Sequence, residues 1–117
     1  MIEYIKVDFD FADERGSLTQ LCHDGWKQIN YLSTKAGVFR GGHYHKLNKE
    51  AFYVVDGEFV LTTELDGKKE VYNIKKGDFF IVKPNVMHSM DFKKDTTMIA
   101  LYDFGVEKDG IKDIYNT

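Results

Sequence analysis

At 117 residues the chain has the length of one domain, and 43% hydrophobic with 15% aromatic residues can bury a core, which excludes a disordered protein. Sixteen lysines and arginines against nineteen aspartates and glutamates leave a net charge of −3, which speaks against nucleic acid as a partner. No apolar run nears the ~20 residues of a bilayer span, Met1-Ile2-Glu3 does not open a signal peptide, and the single Cys22 forbids an internal disulfide, so a cytoplasmic protein with no membrane partner is expected.

In chain order, period-two alternation and β-branched or aromatic clusters predict strands over 2–9, 17–22, 26–33, 38–45 and 51–55. Further strands follow over 58–65, 69–74, 78–82, 88–92 and 96–104. Asp56-Gly57, Asp66-Gly67, Lys76-Gly77 and the polar run Lys93-Lys94-Asp95 separate them, and Asp66-Gly67 between two alternating runs is the strongest hairpin signal. No stretch of a dozen residues keeps a helical period, so short strands at close spacing predict an all-β sandwich or barrel, a single domain over 1–117. A jelly roll is the form that limits exposed edges. The tail 105–117 alternates charge and glycine and is expected to dock on a neighbouring molecule or to fray.

Only two arginines stand against fourteen lysines, and both, Arg15 and Arg40, directly precede a glycine. The guanidinium fork suits planar, two-pronged anion recognition better than an ammonium does. The plainer readings are chance at turns and, for Arg40, an ion pair between subunits.

His43 and His45 are two apart in a predicted strand, so their imidazoles share a face. Glu50 opens the next strand and His88 follows Pro84. Three imidazoles and a carboxylate converging inside a small barrel would make a divalent-metal site of mixed nitrogen and oxygen donors. The same imidazoles without metal would make an acid/base pair. Singly, each has a structural reading: an exposed strand face, a solvated strand end, a loop histidine. Their joint spacing argues for a site.

That spacing, Gly37-x5-His43-x-His45-x4-Glu50-x6-Gly57 and then Gly77-x10-His88, resembles both halves of the cupin signature. The first half matches at every fixed position. In the second the proline falls one place late, the following glycine is absent, and Phe92 replaces the usual asparagine. Asp13-Glu14-Arg15-Gly16-Ser17-Leu18, Ser33-Thr34-Lys35 and Arg40-Gly41-Gly42-His43-Tyr44-His45-Lys46 resemble the nucleotide-sugar branch of that family. Its members include dTDP-4-keto-6-deoxyglucose 3,4-ketoisomerases, dTDP-4-dehydrorhamnose 3,5-epimerases and the cupin domain of capsular-polysaccharide assembling enzymes.

The resemblance implies a small single-domain cupin jelly-roll barrel that forms a homodimer. It also implies an isomerase acting on a nucleotide-linked 4-keto-6-deoxyhexose, by 3,4-ketoisomerisation or epimerisation through an enediolate, in surface glycan biosynthesis. His43 is then the base, His45 its partner, and Arg15 and Arg40 bind the diphosphate. Tyr31, on the preceding strand, is expected to supply a hydroxyl proton or to hold the sugar. Arg40 lies three residues before His43, an odd offset that strict alternation sends to the opposite face unless Gly41-Gly42 bulge the strand. No cofactor is required on this reading, since the ketoisomerases carry an amide where this chain has Glu50 and bind no metal. The capsular relatives bind zinc there; if zinc, nickel or iron binds here, His43, His45, Glu50 and His88 are its ligands and His43 cannot be the base. A metal-dependent, dioxygenase-like small cupin and a non-catalytic sugar-binding cupin are the alternative functions.

Overall fold

The computed structural model describes residues 1–108 and 110–116. Its strands begin with β1 (Ile2–Tyr4), β2 (Phe9–Asp13), β3 (Gly16–Gln20), β4 (Gln28–Thr34) and β5 (Phe39–Tyr44). Next come β6 (Glu50–Asp56), β7 (Glu58–Leu65), β8 (Lys68–Lys75), β9 (Phe79–Val82) and β10 (Met87–Phe92). The last are β11 (Thr96–Tyr102), β12 (Glu107–Lys108), β13 (Ile111–Lys112) and β14 (Tyr115–Asn116). One five-stranded sheet runs β1-β9-β6-β11-β4 and the other β14-β5-β10-β7-β8, while β2–β3 and β12–β13 are separate two-stranded ribbons. The fold is the expected all-β jelly roll. Among the described residues no helix is long and apolar enough to cross a membrane.

The inner faces of both sheets meet in one core, where Phe52, Phe80 and Met98 from the first sheet pack with Phe59, Leu61 and Ile74 from the second. Each such side chain, withdrawn from water, contributes roughly 1.5–3 kcal/mol. β6, β9 and β11 are buried on both faces: Ala51, Phe79, Ile81 and Leu101 form a second cluster against Ile5, Val7, Leu21 and Trp26. Strands enclosed on both sides lose the polar half of their alternation, which is why Phe79-Phe80-Ile81-Val82 is apolar throughout.

The Asp66-Gly67 hairpin forms as expected. Both turn residues have positive φ (51° and 79°), the mirror-image turn whose twist suits two antiparallel strands. Three expectations change. The predicted strand 2–9 divides, because Ile5 N bonds Phe79 O while Asp8 N has turned to Gln20 O. The alternating Phe9-Asp10-Phe11-Ala12-Asp13, beyond the predicted strand 2–9 except for Phe9, is a strand: β2 pairs with β3 from Phe9↔Gln20 to Asp13↔Gly16. In the tail, β14 pairs with β5 of its own chain, Tyr115 against Tyr44 and Asn116 against His43.

Candidate functional site

A cavity of about 310 Å³ opens between the sheets, lined by the polar Arg40, His43, Glu50, His88 and Tyr102 and by the apolar Leu32, Phe52, Met90 and Met98. A break in register between β5 and β10 brings Arg40 and His43 to it together. His43 pairs with His88, but the next partners are Gly41↔Ser89 and Arg40↔Met90, so β5 carries one extra residue. That bulge turns the odd offset between Arg40 and His43 into an even one and brings both to the cavity. It needs glycine. At Gly41 (φ 115°) a Cβ would stand 2.6 Å from His88 O and from Ser89 Cα. Arg40 is held by its Nε, which donates to Thr34 Oγ1 at 2.9 Å.

Tight connections deliver the other donors. Asn85 sits where the family signature has glycine and adopts the same left-handed conformation (φ 69°), which asparagine tolerates. Its N–H donates to His45 O at 2.6 Å, so the turn that leads into His88 is pinned to the residue that follows β5. Glu50 opens β6 between Val82 on β9 and Tyr102 on β11.

The ligand atoms of His43, His45, Glu50 and His88 all lie within 4.8 Å of one another. Glu50 is 3% exposed, its Oε1 3.0 Å from His45 Nε2 and 3.4 Å from His88 Nε2. His45 Nδ1 donates to Asp113 O at 2.6 Å and His88 Nδ1 to Val86 O at 3.2 Å. With Nδ1–H committed to a carbonyl, a neutral imidazole turns its Nε2 lone pair towards the carboxylate. Lone pair and carboxylate repel unless a proton or a cation lies between them. At His45 burial disfavours the imidazolium, but Glu50 and the Asp113 carbonyl outweigh it and raise the pKa above its ordinary value. Glu50 responds in kind. Burial alone would raise its carboxyl, yet His45 and His88 bring it down to about 2. His88 Nε2, 3.4 Å from Glu50 Oε1, is a buried nitrogen with no hydrogen bond. Three imidazoles, a carboxylate and an orphaned nitrogen fit a divalent cation.

His43 differs from the other three. It is half-buried and lines the cavity, whereas His45 stands behind it. Burial, with His88 close by, lowers its pKa to about 4, so it is neutral at pH 7.

Two of the residues expected at the site are elsewhere. Tyr31 is 71% exposed on the outer face of β4, while Leu32 beside it lines the cavity. Register decides this: Leu32 lies opposite Met98 of the core, and Tyr31 must face the other way. Arg15 tips the β2–β3 ribbon, its side chain 79% exposed and paired with Asp13 at 2.6 Å. It borders a separate depression with Phe11, Ser17 and Leu18.

The structure also adds residues that spacing did not reveal. Tyr102 lines the cavity and stands edge-on to His45 at 5.6 Å; burial and the Glu50 carboxylate push its phenol well above the usual value. Asp113 lies 68 positions from the histidine it touches, in a tail whose composition carried no signal.

Similarities to known proteins accord with this geometry. The chain is 32% identical over 66 residues to a 3-hydroxyanthranilate 3,4-dioxygenase of Burkholderia lata, a match covering 55% of this chain and 38% of that protein. The chain thus spans well under half the length of that relative. The sugar 3,4-ketoisomerase QdtA from Thermoanaerobacterium thermosaccharolyticum, solved with TDP, superposes with a TM-score of 0.81 at 19% identity, over 99% of this chain and 88% of that one. The capsular polysaccharide assembling protein CapF from Staphylococcus aureus gives a TM-score of 0.70 at 21% identity, over 92% and 33%. The dTDP-4-dehydrorhamnose 3,5-epimerase from Sulfolobus tokodaii gives 0.71 at 15%, over 92% and 77%. At such identities the structural likeness is one of fold. Residues 33–103 match the cupin domain model, and with the signature donors brought together in one jelly-roll cavity the chain belongs to the cupin family.

Proposed function

We propose that this cupin is an isomerase of nucleotide-linked 4-keto-6-deoxyhexoses, moving a proton on the carbon next to the ketone by 3,4-ketoisomerisation or epimerisation in surface glycan biosynthesis. One observation carries the reading: a single cavity brings an arginine and a neutral imidazole together with an apolar lining of Leu32, Phe52, Met90 and Met98. The ketone acidifies the neighbouring hydrogen, and His43, unprotonated at pH 7 and facing the cavity, takes that proton. His45, pinned between Asp113 and Glu50, supports His43 from behind, their ring centres 5.5 Å apart. Tyr102 stays protonated and holds a proton beside the developing enediolate. Arg40 binds an anionic oxygen, and the apolar lining accepts the 6-methyl group. Arg15 reaches a diphosphate only from a second copy, so its assignment rests on the homodimer that the family resemblance implies.

His43, His45, Glu50 and His88 would hold a divalent cation. When bound it supplies Lewis-acid polarisation of the ketone oxygen, and His43 is then a ligand in place of the base. Both chemistries serve the same isomerisation. The test is deuterium incorporation from solvent into dTDP- and UDP-4-keto-6-deoxyhexoses. No incorporation into any of them ends the reading. With incorporation established, His43→Asn should reduce it about 10²–10⁴-fold with nucleotide binding retained. Glu50→Gln in excess chelator should stay active if the base acts alone; inactivity there, together with rescue of chelated wild type by zinc or nickel, assigns the cation.

A second reading, a metal-dependent dioxygenase, is favoured by the complete four-donor set and the 32%-identical relative. Oxygen uptake by iron-loaded protein with small aromatic substrates, without deuterium exchange into nucleotide sugars, would replace the first reading by this one.

A further inference from the structure

The segment 46–49 joins two of the four donors, His45 and Glu50, and three of its backbone N–H groups are satisfied by one residue near the end of the chain. The Asp113 carboxylate is buried and accepts the backbone N–H of Lys46, Leu47 and Asn48, each at 2.9 Å, and the Asn48 side-chain amide at 2.8 Å. Three successive N–H groups converging on one carboxylate form a socket. Asn48 returns the grip, its Oδ1 accepting from Phe104 N and Gly105 N at 3.0 and 2.8 Å and its amide donating to Gly105 O. While its side chain fills that socket, the Asp113 backbone carbonyl lies 2.6 Å from His45 Nδ1. β14 then carries the tail on along Tyr44 and His43.

We propose that Asp113 is the positioning residue of the histidine–carboxylate centre: by locking the tail into the 46–48 socket it aims its own carbonyl at His45, holds that ring as the Nδ1–H tautomer and turns Nε2 towards Glu50. Free imidazole prefers the opposite tautomer, and without a partner on Nδ1 the ring could rotate or present an N–H to the centre. A carbonyl behind a donor imidazole fixes its tautomer and orientation, and losing such a support costs typically 10–100-fold in metal affinity. The inference concerns the same centre as the proposed isomerase but does not require that reaction.

The test is made on full-length protein labelled with ¹⁵N-histidine, by long-range ¹H–¹⁵N spectra in chelator at pH 9 and by zinc titration against a competing chromophoric chelator. Wild type should show His45 with Nδ1 protonated. In Asp113→Ala the Nε2–H tautomer should become the main species and zinc affinity should fall about 10–100-fold. Asp113→Asn keeps an acceptor for three of the four donors, so it should fold even where the alanine variant does not. It should show the second tautomer as a minor species and lose less zinc affinity. A purely structural role for the tail would lower Tm and move neither readout. The proposal is overturned by wild-type His45 in the Nε2–H form, or by either folded variant with wild-type tautomer and wild-type zinc affinity. Neither measurement involves turnover, so an inactive isomerase would leave the proposal standing.

Discussion

Arg15-Gly16 and Arg40-Gly41 are the same dipeptide in two mechanical settings. Arg40 lies within the barrel wall, at a bulge between two paired strands, and is anchored on Thr34 beside the histidine cluster. Arg15 tips a two-stranded ribbon, where its guanidinium satisfies itself on Asp13 two residues away. The glycines differ in the same way: a Cβ at Gly41 would strike the backbone of β10, whereas a Cβ at Gly16 would meet nothing within 4 Å. One glycine permits a close approach between strands; the other serves a turn. A motif names the residue type, and its neighbours across the sheet decide whether it belongs to a site.

Substituting the two glycines should separate these settings most sharply. Gly41→Ala combines a strained φ with overpacking against β10 and should cost roughly 3 kcal/mol, with loss of any zinc binding. Gly16→Ala (φ 137°) carries backbone strain alone and should cost about 1 kcal/mol. Chemical denaturation of both variants measures the gap, and equal losses would mean that the bulge is not the tight contact it is taken for.

Acid should separate the two carboxylate pairs next. Glu50 is held at about 2 in the folded state, below the ~4.3 of an unfolded glutamate, so its stabilisation is complete above that value and lost as pH falls from there towards 2. His43 acts with the same sign at higher pH. Folded at about 4 against ~6.5 unfolded, its contribution is lost between those values as protons bind the unfolded chain. His45, raised in the folded state, acts oppositely and loses its contribution as pH rises through its folded value. In chelator, the fall in Tm below pH 4 should shrink in Glu50→Gln and persist in Asp13→Asn, because the Asp13–Arg15 pair lies in solvent. Persistence in both would place the acid-sensitive group elsewhere.

Lysine in place of each arginine should give the smallest effects. Arg40→Lys keeps the charge and loses the fork, raising KM for a nucleotide sugar about tenfold with kcat changed less. Arg15→Lys should raise KM only two- to threefold, roughly, since one chain does not bring it to the cavity. Equal falls in kcat and kcat/KM for Arg15→Lys would instead place it at the reacting atoms.

Much of this architecture was legible in the residue order because it rests on local rules. The period-two runs, the Asp66-Gly67 turn and the fixed spacing of His43, His45, Glu50 and His88 report which residues share a strand face and where the chain reverses. Those rules lead to the all-β barrel, and the resemblance of the spacing to the cupin signature leads to the four-donor cluster. They misplace Tyr31, because one residue of register sends a side chain to the opposite face and alternation alone does not say which face is inner. They leave Arg40 open until the partner of Gly41 is known. They pass over Tyr102 and Asp113, whose contacts with His45 and Glu50 join segments far apart in the chain. Composition, period and spacing therefore determined the fold class and the donors, while the pairing of strands decided which arginine, tyrosine and aspartate stand with them, because a side chain's surroundings are set by register and by distant backbone, not by its neighbours in sequence.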